Sequence, residues 1–101
     1  MIIAVDFDGT LCEDAWPNIG KANADLIQYL LYVQSKGHKL ILWTCRCGDK
    51  LIEAIEWCKD HKLIFDGVNE NLPEAIEKFG SDSRKIYADM YIDDKALPPF
   101  K

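Results

Sequence analysis

The first ten residues place an apolar strand directly before an acidic turn. Residues 1–5 read Met-Ile-Ile-Ala-Val, and residues 6–10 read Asp-Phe-Asp-Gly-Thr. A β-branched run without polar alternation is typical of a strand that is covered on both faces, as strands in parallel sheets are. The opening segment therefore predicts a buried strand of a parallel sheet.

Helical and strand patterns alternate along the rest of the chain. Apolar spacing or a first-turn proline predicts helices at Leu26 to Val33, ended by Gly37; at Leu51 to Cys58, capped by Asp49; and at Pro73 to Phe79. Apolar runs are predicted as strands at 39–43, at 63–65 or a little beyond, ending near 66–67, and at 88–92. This order implies right-handed crossovers. We predict a single α/β domain over residues 1–101, with a mostly parallel, Rossmann-like sheet between two layers of helices and a polar loop over 12–20.

Charge and composition narrow the classes of partner. The 101 residues carry a net charge of −5, which argues against a protein that binds duplex DNA through its backbone phosphates. No apolar run approaches the roughly 20 residues that span a bilayer, and residues 1–5 lack the basic lead of a secretory signal. We therefore predict a cytoplasmic protein that does not use a membrane as a partner.

Residues able to carry chemistry follow the predicted strands. In an open α/β sheet, ligands bind beyond the carboxyl ends of the strands. The side chains expected at this edge are Asp6, Asp8, Thr44, Arg46, Asp93 and Asp94, with Lys85 shortly before the last strand. Four carboxylates repel one another unless a cation lies between them, and Mg²⁺ prefers such oxygen ligands. The two basic groups and the hydroxyl suit an anion, so together these residues indicate phosphoryl transfer.

Each of these features also has a purely structural interpretation. An Asp-x-Asp pair at a strand end is ordinary turn chemistry, because Asp bonds its own backbone. A Thr after a strand, such as Thr44, is often a helix cap, and Lys85 is consistent with an ordinary charge exposed to solvent. The pair Asp93-Asp94 can end a strand by like-charge repulsion. The functional interpretation depends on all of these residues falling at one edge of one sheet.

Four segments resemble the motifs of the haloacid dehalogenase (HAD) superfamily. The first motif, hydrophobic-D-x-D-G-T-hydrophobic, is highly specific and is matched by residues 5–11. The second, a strand ending in Thr, is matched at 42–44, and the third by Lys85 upstream of the last strand. The fourth, an acidic pair after that strand, is matched at 91–94. The resemblance covers nearly the whole chain.

The resemblance also implies that the domain carries no cap. Segments 42–46 and 91–95 are similar to those of small HAD hydrolases of bacteria and phages that lack a cap domain. Caps are inserted after the first motif or before the last strand, and these connections have only about ten and about 25 residues here. We therefore expect an uncapped HAD core with an open site.

The activity implied by the resemblance is Mg²⁺-dependent hydrolysis of phosphate monoesters. Asp6 would attack phosphorus and form an aspartyl-phosphate, since a carboxylate is already ionised at neutral pH. Asp8 would protonate the leaving oxygen and then deprotonate the attacking water. The implied metal ligands are Asp6, Asp8 through its backbone carbonyl, and Asp94, with Asp93 as the partner of a water on the ion. The implied phosphate ligands are Thr44, Lys85 and Arg46.

Other classes stay open. A phospho-acceptor module of the receiver type also uses Asp, Mg²⁺, Thr and Lys, but its acceptor follows the third strand, here near Asp66. A binding or assembly protein without activity would have no use for the full set of site residues. A nucleotide or polynucleotide-end phosphatase is allowed by an open site and by Arg46. Trp16 suits either stacking on a base or sugar, or packing over the first helix.

The expected partner is a small phosphorylated substrate, with a nucleic-acid end as the alternative. The sequence continues for only seven residues after Asp94, where members of the superfamily commonly add a further helix. A sheet edge or face left bare there favours self-association, so a homo-oligomer also stays open.

Overall fold

One parallel sheet of four strands runs through the middle of the molecule. The structure, a computed structural model, describes residues 1–99. Its elements in chain order are β1 (Ile2–Val5), β2 (Cys12–Ala15), β3 (Asn18–Ala22), α1 (Ala24–Ser35), β4 (Lys39–Leu42), α2 (Gly48–Asp60), β5 (Gly67–Val68), α3 (Pro73–Phe79) and β6 (Met90–Ile92). The sheet has the order β5-β4-β1-β6 with every pair parallel, while β2 and β3 form an antiparallel hairpin. Positions 100 and 101 of the predicted domain lie outside the described residues.

Successive side chains of β1 enter two different apolar layers. Ile3 packs in a cluster with Leu30 of α1 and Cys58 of α2. Ala4 packs in a second cluster with Leu72 at the start of α3. Because neighbouring strand residues point to opposite faces of a sheet, a strand with helices on both sides must be apolar throughout. The predicted mostly parallel sheet flanked by helices is therefore confirmed.

The segment 12–20 is not the loop that the sequence predicts but most of the β2–β3 hairpin. Antiparallel pairing places Asp14 opposite Ile19, with a register shift just before Asp14. Gly20 permits this close pairing, because a Cβ at Gly20 would lie 2.2 Å from the carbonyl oxygen of Glu13. Most hairpin side chains are exposed or half-buried, so hydrophobic periodicity carries no signal for it.

The third predicted strand lies later in the chain than expected, at Gly67–Val68, and residues 63–65 are not part of it. Leu63 is buried because it closes the end of α2, where its N–H donates to the carbonyl of Cys58 at 2.9 Å. Lys62 turns the chain there, with a φ of 70°. A leucine that closes a helix and a short buried strand produce the same apolar signal.

The remaining boundaries shift by a few residues. α2 begins directly after Cys47, so Asp49 lies in its first turn and does not cap it through a side chain. The charge of Asp49 still suits the positive end of the helix dipole. The last strand covers 90–92 instead of 88–92. Within residues 1–99, none of the helices is both long enough and apolar enough to cross a membrane.

Candidate active site at the carboxyl edge of the sheet

Three carboxylates, of Asp6, Asp93 and Asp94, meet where β1 and β6 end, and we call them the acidic triad. Each of the three offers a carboxylate oxygen, and these oxygens lie within 4.8 Å of one another. The two strands are neighbours in the sheet, and the Asp6 N–H donates to the carbonyl of Ile92 at 2.9 Å. The structure thus brings acids from the two ends of the chain to one place.

Thr10 and Gly9 hold the acidic triad together. The Thr10 hydroxyl donates to Asp6 Oδ2 at 3.2 Å and accepts the N–H of Asp94 at 3.1 Å. Gly9 has a φ of 81°, and a Cβ there would lie 2.3 Å from Asp94 Oδ2. The Gly-Thr pair of the first motif therefore allows Asp94 to approach Asp6, so its turn geometry also shapes the site.

Burial raises the pKa of Asp6 from 3.8 to about 6. Its hydrogen bond with Asp94 and the charge of Asp93 act in the same direction. The backbone N–H of Phe7 and the Thr10 hydroxyl oppose the shift, because they stabilise the ionised carboxylate. The net effect is an upward shift of the Asp6 pKa, because the protein groups near the acidic triad supply too little positive charge to offset burial and repulsion.

The donor set of the acidic triad fits a hard divalent cation. Its three oxygens are near enough to one another to share one ion. Mg²⁺ takes oxygen ligands and is usually held by one or two carboxylates together with water and substrate phosphate. Asp8 stands outside this set, because both of its side-chain oxygens accept hydrogen bonds from Arg46. The role implied for the Asp8 backbone carbonyl stays a prediction.

Arg46 and Asp8 form an ion pair at the same edge of the sheet. Arg46 Nε donates to Asp8 Oδ2 at 2.8 Å, and Nη2 donates to Asp8 Oδ1 at 2.7 Å. Nη2 also donates to the carbonyl of Asn18 at 3.0 Å. The side chain of Arg46 is only 1% exposed, and the Asp8 carboxylate raises the pKa of its guanidinium. Arg46, predicted as a phosphate ligand, is therefore engaged in orienting Asp8.

Two aromatic rings enclose the guanidinium of Arg46. The ring centroids of Phe7, which is buried, and of Trp16, in the hairpin turn, each lie 5.0 Å from Arg46 Cζ. Such contacts between a guanidinium and aromatic faces are attractive. Trp16 is thus held by Arg46, and it is not among the residues of the apolar cluster that packs against α1.

Thr44 follows β4 and faces the same edge of the sheet. Its N–H donates to Asn69 Oδ1 at 2.8 Å, and its Oγ1 accepts the N–H of Arg46 at 3.1 Å. Because the oxygen acts as an acceptor here, the hydroxyl hydrogen can donate to a ligand. Asn69 was not anticipated as a supporting residue. The residue type was the available signal in the sequence, because Asn tolerates the left-handed backbone conformation, and Asn69 has a φ of 52°.

A cavity of about 420 Å³ opens over these groups. Its lining includes Asp6, Thr44 and Asp93 from three strand ends, together with Trp16 and Lys95. The volume is in the range of pockets that bind small ligands. The cavity therefore combines metal-type ligands, a hydroxyl, a cation and an aromatic ring.

Lys85 does not line this cavity, and its predicted role at the phosphate stays a prediction. It lines a separate cavity with Tyr87 and Tyr91, and its Nζ lies 5.5 Å from the centroid of the Tyr91 ring. Lys85 precedes β6, whereas the carboxyl edge is reached only after that strand. Lys95, which directly follows Asp94, is the lysine that lines the site.

Comparison with known proteins gives a structural relative. No family model matches the chain, and no curated protein matches it. The solved structure of the conserved protein coded by a locus from Bacteroides thetaiotaomicron is similar, with 43% sequence identity and a TM-score of 0.85. The match covers 96% of this chain and 78% of that protein. The chain therefore belongs to the same family as this conserved Bacteroides thetaiotaomicron protein.

Proposed function

We propose that this protein is an uncapped, HAD-type phosphatase that hydrolyses phosphate monoesters with Mg²⁺, through an aspartyl-phosphate on Asp6. The observation that carries the proposal is the acidic triad, two of whose carboxylates, Asp6 and Asp93, line one cavity with Thr44 and Lys95. Ligands for a cation, a hydroxyl donor and a positive charge are the parts that phosphoryl transfer uses. The resemblance of four sequence segments to the HAD motifs supports the same activity.

Asp6 is the nucleophile in this proposal. The Thr10 hydroxyl orients its carboxylate through Oδ2. Attack forms a bond from a carboxylate oxygen of Asp6 to phosphorus and breaks the bond from phosphorus to the leaving oxygen. Asp6, Asp93 and Asp94 would hold the divalent cation, which when bound would supply positive charge that keeps Asp6 ionised and offsets the charge of the phosphoryl oxygens.

Asp8 transfers the protons. Arg46 occupies one lone pair on each of its carboxylate oxygens, and the remaining lone pairs can carry a proton. Protonated Asp8 gives its proton to the leaving oxygen, and the resulting carboxylate accepts a proton from the water that attacks the aspartyl-phosphate. Hydrolysis releases inorganic phosphate and regenerates Asp6.

Thr44 and Lys95 bind the phosphoryl oxygens. In this proposal Thr44 donates from its hydroxyl, and Lys95, which lines the cavity, supplies the positive charge that the sequence predicts from Lys85. Donors fixed before the reaction stabilise the charge that develops on these oxygens in the transition state.

Hydrolysis of p-nitrophenyl phosphate tests the proposal. We expect multiple turnovers that EDTA abolishes and that Asp6→Asn removes, because the amide cannot form the aspartyl-phosphate. Asp8→Asn should lower kcat by roughly 10²–10⁴. Mg²⁺ should still raise the melting temperature of Asp8→Asn, since its acidic triad is intact. Glu13→Gln serves as the matched control, because it removes an exposed carboxylate of the β2–β3 hairpin that lies outside this cavity.

Other outcomes of the assay would indicate other classes. A single stoichiometric phosphorylation without turnover would indicate a phospho-acceptor module. Binding of Mg²⁺ without reaction on any phosphate monoester would indicate a binding or assembly protein. The cytoplasmic location and the self-association expected from the sequence stay predictions.

A further inference from the structure

Trp16 exposes an aromatic ring in the cavity that Asp6 and Asp93 of the acidic triad also line. The residue is 58% exposed, although burial of so large an apolar ring is strongly favourable. It lines the same cavity as Asp6, Thr44 and Lys95. A phosphate bound by these three residues leaves the rest of the cavity, with its aromatic ring, to the other end of the substrate.

The Trp16 ring is held in place before any ligand binds. The guanidinium of Arg46 lies 5.0 Å from its centroid, and Arg46 is itself fixed by Asp8 and by the carbonyl of Asn18. The backbone N–H of Trp16 donates to Asp14 Oδ1 at 3.2 Å. An aromatic surface that is fixed and still exposed binds a planar group without a large loss of conformational entropy.

We propose that Trp16 stacks on the base of a nucleoside monophosphate whose phosphate is bound at Asp6. This inference rests on the proposed function and names its substrate class. Aromatic side chains stack on bases irrespective of base identity, because every base has a π-face. A free mononucleotide is favoured over a nucleic-acid end, since the chain has a net charge of −5 and a polynucleotide backbone requires a basic path.

The first test is the ratio of kcat/KM for adenosine 5′-monophosphate to kcat/KM for ribose 5-phosphate. Trp16→Ala should lower this ratio roughly 5- to 100-fold, mainly through the KM for the nucleotide, and Trp16→Phe should keep most of it because the aromatic face remains. Tyr32→Ala is the matched control. Tyr32 is 61% exposed and also contacts a cation, Lys36, but it lies outside this cavity, so the ratio should not change.

The second test measures binding without turnover, in Asp6→Asn. Adenosine 5′-monophosphate should quench tryptophan fluorescence, whereas ribose 5-phosphate should not. The quenching should disappear when Trp16→Phe is added, although Trp43 and Trp57 still fluoresce.

The outcomes separate the two proposals. Turnover with an unchanged ratio in Trp16→Ala, or quenching that persists after Trp16→Phe, overturns the stacking and leaves the phosphatase standing. No turnover of any phosphate monoester overturns the phosphatase, while the fluorescence test still decides whether Trp16 stacks on a base.

Discussion

Arg46 binds both carboxylate oxygens of Asp8, at 2.7 Å and 2.8 Å, from a position between the rings of Phe7 and Trp16. The two residues are 38 positions apart in the chain. A guanidinium fork matches a carboxylate bidentately in a defined geometry, which a lysine cannot reproduce. The direction of the Asp8 carboxylate is therefore set by the loop after β4 as much as by β1.

Replacing Arg46 with Ala should destabilise the protein by about 3 kcal/mol, because the Asp8 carboxylate loses its partner in a largely buried pair. Lys39→Ala is the matched control. Lys39 pairs with Glu74 at 3.0 Å on the surface, and exposed pairs contribute at most about 1 kcal/mol. Urea unfolding measures both variants. Equal losses in the free energy of unfolding would show that the buried Arg46–Asp8 pair contributes no more stability than an exposed ion pair.

The metal-free protein should lose stability as the pH rises from about 4 to about 7. The pKa of Asp6 is 3.8 as a free side chain and about 6 in the folded protein. Between these values the folded state binds more protons than the unfolded state, so raising the pH favours unfolding. Because Asp6 is only partly buried, we expect this contribution to be about 1–2 kcal/mol.

Urea unfolding in EDTA at several pH values measures this contribution. Asp6→Asn should remove it and should be more stable than the wild type at pH 7.5. Glu56→Gln, which neutralises an exposed carboxylate of α2, should retain the wild-type pH profile. An unchanged profile in Asp6→Asn would mean that another group accounts for the pH dependence.

Mg²⁺ should stabilise the protein at pH 7.5 and bind about tenfold more weakly at pH 5, because a proton on Asp6 competes with the ion. At a concentration 100 times Kd, the ion adds about 2.7 kcal/mol to the free energy of unfolding. Asp94→Asn should lose most of this effect. Thermal unfolding with and without Mg²⁺ is the measurement, and equal stabilisation of Asp94→Asn and wild type would remove Asp94 from the metal ligands.

Gly9→Ala should destabilise the protein and weaken its stabilisation by Mg²⁺. The added Cβ would lie 2.3 Å from Asp94 Oδ2, so the Asp94 carboxylate must move. Gly80→Ala isolates the backbone cost, because Gly80 has a similar φ of 72° and nothing within 4 Å of its Cβ position. We expect about 1 kcal/mol for the backbone cost in each variant. Only Gly9→Ala should lose the response to Mg²⁺.

Lys95→Ala should lower kcat/KM for p-nitrophenyl phosphate by about 10²-fold, because a positive charge proposed to lie next to the phosphoryl oxygens is removed. Lys85→Ala should change it much less, since Lys85 lies under the separate cavity with Tyr91. The pair of variants distinguishes the position found in the structure from the one predicted by the sequence. A larger loss in Lys85→Ala would restore the sequence-based assignment.

The residue pattern was sufficient to predict the parallel sheet and which residues end its strands. Asp6, Thr44 and Asp93 each follow an apolar run, and the carboxyl ends of parallel strands share one edge. The same local signal was misleading at 63–65, because Leu63 is buried as the end of a helix. It was silent for the hairpin, whose two strands pair with each other and expose most of their side chains.

By itself, the sequence determined the alternation of the parallel strands with the helices and the edge at which the acids gather. Only the tertiary structure decided that Arg46 faces Asp8, that Lys95 and not Lys85 lines the cavity, and that Trp16 lies on Arg46. The reason is physical: apolar periodicity reports which face of an element is buried. The direction of a charged side chain in a loop depends instead on contacts with segments far away in the chain.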